Sequence, residues 1–428
     1  MTRGPLQQLH SILPAEVQQV VKRATPIPSI ALQATQQQQR FPQLVRADIG
    51  QITGYDSARE VLYGPPVGLE RLRQKLSELW NLTYSIAGGL TAKNVAVTTG
   101  AAEGLSLLFR CFASGKRVGL PTGHWENYVN GVQMAGGTTT TVDYFTDHGT
   151  LDGEHLTRQI RAQKIEVLVS NFPCNPTGAV LTAEEAQCIA EVARATDVLL
   201  ISDEVYHRLR YDGHPPVTLL QHAPERTLVV GSASKEYLLP GARTGWVISQ
   251  VSEVTDVVLR KLIRSNTASP NVLGQERVLE LLEEEVAELS AGKEPSFIVA
   301  LREELRSRKE NLVKVLSEFG FSMVGRVGHV PQGTIFLMAG IPDWWSGSDE
   351  DLAERALEAG CFSCIPGSAF GLPGSVRFSF GGMTLDAIEQ LRENLRRFRE
   401  ECGGAKGSHP QSQATPPREP PHPLPRSP

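Results

Sequence analysis

Short apolar runs alternate with amphipathic stretches through the middle of the chain. Runs rich in valine, leucine and isoleucine and bounded by turn residues have the pattern of buried strands. They are 94–99, 117–120, 166–170, 198–202, 227–230 and 245–248. Helical periodicity marks 69–80, 102–113 and 182–196, and a capping box of Thr182 and Glu185 opens the last of these. The alternation predicts an α/β fold with a mostly parallel sheet covered by helices, with ligands at the carboxyl ends of the strands.

A different pattern follows in the last third of the chain. A long charged helical region covers 274–318 and is interrupted near 292–295. Apolar runs at 334–338 and 376–380 predict strands of a smaller α+β domain, closed by a helix at 385–398. The predicted organisation is an N-terminal arm contributing to the small domain (1–45), a large domain (46–275), a C-terminal small domain (276–402) and a disordered proline-rich tail (403–428).

Composition and net charge limit the classes of binding partner that we expect for this protein. The chain has 428 residues and a net charge of −5, with no apolar run long enough to cross a bilayer, so we expect neither nucleic acid nor membrane as a partner. Six scattered cysteines indicate a reducing compartment, and we expect a cytoplasmic protein. Cys361 and Cys364 have C-x-x-C spacing, but without a second pair or a histidine cluster they indicate structural thiols, and no metal is expected.

Lys235 is the most distinctive candidate for chemistry. It stands in the run Ser232-Ala-Ser-Lys235, directly after a predicted strand, and Arg243 follows eight positions later. A lysine whose pKa is lowered by desolvation and neighbouring cations can form a Schiff base with an aldehyde, and the permanent charge of an arginine suits a phosphate. Pyridoxal phosphate carries both groups. A surface lysine on a strand-to-helix turn is the alternative explanation.

Other predicted strand ends carry polar or small residues. The run Thr99-Gly-Ala-Ala102 closes one strand and opens a helix, whose free N–H groups could receive a phosphate. Asn175 stands in a proline-rich strand exit that would point its amide into the cleft, although a structural proline turn also explains this segment. The Asp203 carboxylate at a buried strand end needs a cation, such as a protonated pyridine nitrogen, unless it caps a helix.

Taken in order, these motifs resemble those of class I and II aminotransferases, which are fold type I pyridoxal-phosphate enzymes. The resemblance covers about residues 49–398. It is carried by Tyr63 with Gly68 and Leu72-Arg73, Thr99-Gly-Ala-Ala102, Asn175-Pro-Thr-Gly178, Asp203-Glu-Val-Tyr206, Ser232-Ala-Ser-Lys235 with Arg243, Pro366-Gly-Ser-Ala-Phe370, and Arg377. It implies an enzyme that moves an amino group from an L-amino acid to a 2-oxo acid, with a large cofactor-binding domain and a smaller domain.

The resemblance also implies a role for each matching residue at the cofactor. Lys235 would bind it through a Schiff base and act as general base and acid, and Asp203 would pair with the pyridinium nitrogen. Tyr206 and Asn175 would hydrogen-bond the phenolic oxygen of the ring. Trp125 resembles the aromatic residue that stacks on the ring, although its spacing from the preceding proline departs from the common pattern. The residues that would hold the phosphate are Gly100, Ala101, Ala102, Ser232, Ser234 and Arg243.

Substrate and subunit contacts are implied in the same way. Arg377 resembles the clamp for the substrate α-carboxylate, with Asn175 beside it, and a structural salt bridge is the alternative for this arginine. Gly50 resembles the stretch that closes over the substrate. Tyr63 would reach the phosphate of the neighbouring subunit, which implies a homodimer with active sites at the interface.

Two other function classes stay open at this point. A lyase of the same fold, such as a carbon–sulfur β-lyase or a cyclopropane-forming synthase, would share every cofactor residue. A non-enzymatic regulator is the second alternative, and the lysine argues against it. Substrate choice is open as well: Arg264 and Arg46 are the candidates for binding a second carboxylate, and an aromatic or medium-sized neutral amino acid is slightly preferred.

Overall fold

The computed structural model describes residues 4–23, 61–326 and 330–403, together with the isolated positions 33, 37, 40 and 41. Most of the predicted arm after residue 23 lies outside the described residues, as do Arg46 and Gly50 at the start of the predicted large domain. So does the predicted proline-rich tail from residue 404 onward.

A seven-stranded sheet forms the centre of the described structure. Its strands are β1 Val95–Thr98, β2 Arg117–Pro121, β3 Thr138–Val142, β4 Val167–Asn171, β5 Leu199–Asp203, β6 Thr227–Ser232 and β7 Gly245–Ile248. Their order is β1-β7-β6-β5-β4-β2-β3. The strands β3, β2, β4, β5 and β6 are parallel, whereas β7 is antiparallel to both of its neighbours. The predicted α/β fold with a mostly parallel, mixed sheet is confirmed, and all six predicted strands are present.

Helices cover both faces of this sheet. They are α1 Leu9–Ile12, α2 Ala15–Lys22, α3 Glu70–Tyr84, α4 Gly100–Phe112, α5 Glu126–Met134, α6 Gly153–Gln163, α7 Ala183–Thr196, α8 Leu219–His222, α9 Ala233–Glu236, α10 Arg260–Thr267 and α11 Val272–Ser290. Strand β4 shows why helices are needed on both faces of the sheet. Its residues Val167 and Val169 join one apolar cluster, and Leu168 joins another on the opposite face. The capping box predicted at α7 is confirmed, because Thr182 and Glu185 exchange hydrogen bonds of 2.9 and 3.2 Å.

The described N-terminal helices pack on the large domain. Leu9, Val17 and Val21 are buried in the same apolar cluster as Val258 and Ile263, which lie just before and within α10. The sequence assigned the arm to the small domain, but the apolar face of α1 and α2 meets the large one instead. This part of the arm therefore adds to the core beneath the sheet.

The described residues after α11 form a second, smaller domain. Its helices are α12 Ser296–Glu318, α13 Asp349–Glu358 and α14 Leu385–Gly403, and its strands are β8 Ser322–Val324, β9 Phe336–Gly340, β10 Ile365–Pro366 and β11 Ser375–Ser379. These strands form an antiparallel sheet in the order β10-β11-β9-β8. None of the helices in the described ranges combines the length and the apolar character that a membrane span needs.

Helix α11 crosses the domain boundary predicted at 275/276. It buries Val278 and Leu282 in one cluster with Leu72 and Leu76 of α3. Because this contact ties α11 to the helices of the large sheet, we propose that the large domain extends to about Ser290. The helical break expected near 292–295 is present between α11 and α12.

Candidate active site

The candidate site lies at the carboxyl ends of three adjacent parallel strands. Asn171 ends β4 and pairs in register with Asp203 at the end of β5, and β6 ends beside them at Ser232, three residues before Lys235. These ends open into a cavity of about 450 Å³. Eleven residues named from the sequence line it: Ala101, Ala102, Trp125, Asn175, Asp203, Tyr206, Ser232, Ser234, Lys235, Arg243 and Arg377. Six others do too: Asn127, Tyr128, Asn171, Val205, Pro240 and Phe336.

Lys235 projects into this cavity from the single turn of α9. Ser232 caps that turn, because its Oγ accepts a hydrogen bond from the backbone N–H of Ser234 at 3.1 Å. The Lys235 Nζ lies 5.8 Å from the centroid of the Tyr206 ring. Burial and the positive charge of Arg377 lower the pKa of the amine, and Asp203 only partly counteracts them. The amine therefore loses its proton more readily than an exposed lysine.

Asp203 is a buried carboxylate at the floor of the cavity. Burial raises its pKa to about 6, although hydrogen bonds to the carboxylate and the charge of Lys235 act in the opposite direction. Its Oδ2 accepts from the Tyr128 hydroxyl at 2.6 Å and its Oδ1 accepts from the Val205 N–H at 3.3 Å. A turn rather than an α-helix follows Asp203, so helix capping does not explain this carboxylate.

Arg243 lines the cavity, and Gly100 lies against it at the start of α4, followed by Ala101 and Ala102 of the lining. Gly100 begins α4 with φ of +77°, and a Cβ on it would stand 2.5 Å from Nη2 of Arg243. The helix start thus brings backbone N–H groups against a guanidinium, which only glycine permits. The hydroxyls of Ser232 and Ser234, 2.8 Å apart, lie on the same lining. Backbone donors, hydroxyls and a fixed cation together form a cradle for a phosphate.

Arg377 lies on β11 of the small domain and faces the cavity. Its Nη1 donates to Oδ1 of Asn175 at 3.0 Å, and its guanidinium carbon lies 4.1 Å from the ring centroid of Phe336 and 4.6 Å from that of Phe370. Its buried Nε has no hydrogen-bond partner. Within the described ranges no carboxylate pairs with this arginine, which disfavours the structural salt bridge considered above. The guanidinium is held by aromatic faces and an amide, with donors left for an anion.

Three polar residues of the lining, Asn127, Tyr128 and Asn171, were missed in the sequence, and the last two hold other site residues. Asn171 donates from Nδ2 to the carbonyl of Asp203 at 3.0 Å and accepts from the N–H of Asn175 at 2.9 Å, so it ties two strand ends together. Tyr128 holds the Asp203 carboxylate and packs edge-on against Trp125, with ring centroids 5.7 Å apart. Its position three residues after Trp125, on the same helix face, is the signal that could have identified it.

Three predicted site residues are not part of the lining of this cavity in the described chain. Gly100 lies against Arg243 but is absent from the lining. Tyr63 is 71% exposed and is absent from the lining. Gly50 lies outside the described residues.

Comparison with known proteins gives a consistent family. The sequence model of the family described as aminotransferase class I and II matches residues 33–395. The chain is similar to the aspartate/prephenate aminotransferase of Thermus thermophilus, with 30% identity over 350 residues that cover 80% of this chain and 84% of the relative. It is also similar to the aspartate aminotransferase of Bacillus subtilis, with 28% identity over 350 residues, 79% of this chain and 84% of the relative.

Solved structures agree with the sequence matches. The aspartate aminotransferase from Thermus thermophilus with maleate aligns with a TM-score of 0.70 and 28% identity, covering 88% of this chain and 97% of that one. The aromatic aminotransferase from Pyrococcus horikoshii aligns with a TM-score of 0.70 and 26% identity, covering 89% and 94%. With the fold, the cavity and the family match in agreement, the chain belongs to the class I and II aminotransferase family.

Proposed function

We propose that this aminotransferase moves an amino group from an L-amino acid to a 2-oxo acid, with pyridoxal 5′-phosphate bound covalently to Lys235. Membership of the family supports transamination, and nothing among the relatives above favours the lyase alternative. The observation that carries the cofactor proposal is the convergence of a half-buried amine, a buried carboxylate and a phosphate cradle in one cavity.

The residues present fit this cofactor in three respects. The approach of Gly100 to Arg243 leaves no space for a side chain and presents N–H groups to a phosphate. Asp203 is buried where a protonated ring nitrogen would pair with it. Tyr206 and Asn175 line the same cavity with a hydroxyl and an amide, which would hydrogen-bond the phenolic oxygen of the ring. When bound, the cofactor supplies an electron-accepting ring that stabilises negative charge at the α-carbon of the substrate.

The protein's own residues then have separate tasks. The lowered pKa of Lys235 favours the unprotonated amine relative to an exposed lysine, and this amine would take a proton from the α-carbon and return one as general base and acid. Asp203, with a pKa of about 6, is mostly ionised at neutral pH and can keep a ring nitrogen protonated. Arg377 would bind the substrate α-carboxylate and fix its orientation. Trp125 forms part of the wall, which limits access of water.

The observations that bear on the amino donor favour two different classes of amino acid. The cations that line the described cavity are Lys235, Arg243 and Arg377, and each already has a task, which supports a neutral or aromatic donor. Arg264 lies on α10 and is absent from that lining, and Arg46 lies outside the described residues. The similarity to aspartate/prephenate and aspartate aminotransferases supports aspartate instead. A panel of amino donors with 2-oxoglutarate and pyruvate as acceptors would separate these classes.

We further propose a homodimer in which Tyr63 reaches the site of the partner. Tyr63 is 71% exposed, and its neighbours Val61 and Leu62 are exposed apolar residues, as expected of a surface that a second copy covers. The cytoplasmic location stays a prediction.

The decisive experiment is borohydride fixation of added pyridoxal 5′-phosphate. We expect label on Lys235 in the wild type, and loss of the label, the visible absorbance and nearly all turnover in Lys235→Ala. Lys293→Ala, at an exposed lysine, is the matched control and should behave as the wild type. A wild type without label, or a Lys235→Ala variant with full turnover, would refute the proposal. Release of ammonia and pyruvate from the donor, instead of a 2-oxo acid with pyridoxamine phosphate, would indicate the lyase.

A further inference from the structure

A group of charged residues lies in the interior directly behind the cavity. Glu236 follows Lys235 in the chain, and His207 and Arg208 follow Tyr206. These three residues are 1%, 2% and 5% exposed, and none of them lines the cavity. The two segments that carry the amine and the tyrosine of the site thus continue into one buried cluster.

The Glu236 carboxylate connects these two segments. Its Oε1 accepts a hydrogen bond from the backbone N–H of Arg208 at 2.9 Å, and its Oε2 accepts from Nε of the same residue at 2.8 Å. Nε2 of His207 lies 3.0 Å from Oε2. Burial alone would raise the pKa of Glu236, but His207 and Arg208 outweigh it and hold the pKa at about 2. The carboxylate is therefore ionised throughout the working pH range of a neutral enzyme.

Side chains from two helices of the large domain hold the outer side of the cluster. Arg208 donates from Nη2 to the Tyr237 hydroxyl at 3.0 Å and pairs with Glu285 of α11, which also accepts from Tyr237. His207 hydrogen-bonds through Nδ1 with the hydroxyl of Tyr84 on α3. Because α3 and α11 pack against each other in the core, the cluster is anchored to a rigid part of the fold.

We propose that Glu236 is a positioning residue that fixes the Lys235 amine relative to Tyr206 and Asp203. Lys235 stands on α9, which is a single turn of four residues and cannot maintain its orientation by helical hydrogen bonds alone. Glu236 is the last residue of that turn, and both of its oxygens are bound to the segment after Tyr206. The inference rests on the proposed function of Lys235.

The action of Glu236 on the amine is mechanical. Burial, Arg377 and Asp203 set the pKa of Lys235, and Glu236 is not among these causes. A catalytic group displaced by about 1 Å can lose on the order of 100-fold in rate. Loosening the cluster should therefore lower kcat while substrate binding, which uses Arg377, is left nearly unchanged.

The test compares three variants with the wild type after loading with pyridoxal 5′-phosphate. Glu236→Gln keeps the shape and removes the charge, and Glu236→Asp keeps the charge on a shorter side chain. Glu283→Gln is the matched control, since Glu283 lies on α11 and pairs with Arg71 at the surface. We expect Glu236→Gln to lower kcat by about 10- to 100-fold, with KM for the amino donor within about threefold. The control should match the wild type.

A second measurement does not depend on turnover. Visible circular dichroism reports how rigidly an achiral chromophore is held, so its amplitude per bound cofactor should fall in Glu236→Gln and recover in part in Glu236→Asp. If Glu236→Gln does not fold, Arg208→Lys, which keeps the charge but loses the Nε contact, should show the same loss of kcat and amplitude.

The outcomes separate this inference from the proposed function. A variant with a lower Tm but with kcat and dichroism of the wild type would overturn the inference and make the cluster purely structural. Unchanged properties in every respect would overturn it as well. An unlabelled Lys235 in the wild type would overturn the proposed function and this inference with it, whereas a labelled wild type beside an unaffected Glu236→Gln would overturn this inference alone.

Discussion

Replacing Asp203 by asparagine is predicted to stabilise the cofactor-free protein above neutral pH. The same substitution should remove the activity of the protein loaded with cofactor. Burial raises the pKa of this carboxyl from 3.8 to about 6. The folded protein therefore binds the proton more tightly than the unfolded chain does. The contribution of Asp203 to stability is fully present below pH 4 and is lost as the pH rises through about 6. A gap of about two pKa units corresponds to a loss of about 3 kcal/mol.

Asparagine has nearly the same shape and carries no charge. Its side-chain oxygen can still accept from Tyr128 or from the Val205 N–H, the partners of the native carboxylate. The difference in free energy of unfolding between Asp203→Asn and the wild type should therefore be greater at pH 8 than at pH 5. By the same linkage we expect the increase between these pH values to be about 1.5 kcal/mol in favour of the variant.

Urea unfolding of both cofactor-free proteins at pH 5 and pH 8 measures this difference. Asp147→Asn, at an exposed carboxylate, is the control and should show no comparable change with pH. A difference for Asp203→Asn that is the same at both pH values would refute the reasoning, because it would mean that burial has not raised the pKa of this carboxyl. Turnover should be lost in the same variant, so the substitution would stabilise the protein while removing its function.

The remaining predictions concern three other contacts. Arg377→Ala should raise KM and lower kcat with the visible spectrum of the bound cofactor intact; unchanged steady-state kinetics would place the carboxylate site elsewhere. Tyr128→Phe removes a 2.6 Å hydrogen bond to Asp203, and since such bonds to a charged group contribute about 1.5–3 kcal/mol, the pKa of Asp203 and the acidic limb of kcat/KM should rise by about one unit or more. An unshifted pH profile would contradict this. Gly100→Ala would place a Cβ 2.5 Å from Arg243. Equilibrium dialysis should therefore show that the affinity for pyridoxal 5′-phosphate falls by about tenfold or more. An affinity equal to that of the wild type would show that the phosphate cradle is not used.

The strands could be predicted where burial makes them apolar. Strands such as β4 and β5, which lie in the middle of the sheet, have every residue buried, and their runs of valine, leucine and isoleucine were identified in the sequence. Strand β3 was missed because it consists of four threonines followed by Val142. It lies at the edge of the sheet, where only Val142 is fully buried and polar residues are tolerated.

The candidate site shows the same limit for single residues. Lys235, Asp203 and Asn175 stand next to recognisable strand ends, so local patterns identified them. Tyr128 acts through a contact with a residue 75 positions away. Its spacing from Trp125 could indicate a shared helix face, but it does not indicate this contact. The packing of α1 and α2 on the large domain could not be predicted for a similar reason, since an amphipathic face shows that a helix packs but not what it packs against.

The charged residues that line the cavity would bind the ligands, but their burial is expected to lower the stability of the cofactor-free protein. Three cations, Lys235, Arg243 and Arg377, line it together with the buried carboxylate of Asp203. A phosphate at the cradle and a carboxylate at Arg377 would pair with the two arginines, and a protonated ring nitrogen would pair with Asp203. Each of these ligands binds the folded chain and not the unfolded one, and a ligand at 100 times its dissociation constant adds about 2.7 kcal/mol of stability. That gain is of the same size as the loss expected from burying the Asp203 carboxylate, so ligand binding would offset the instability that these buried charges produce.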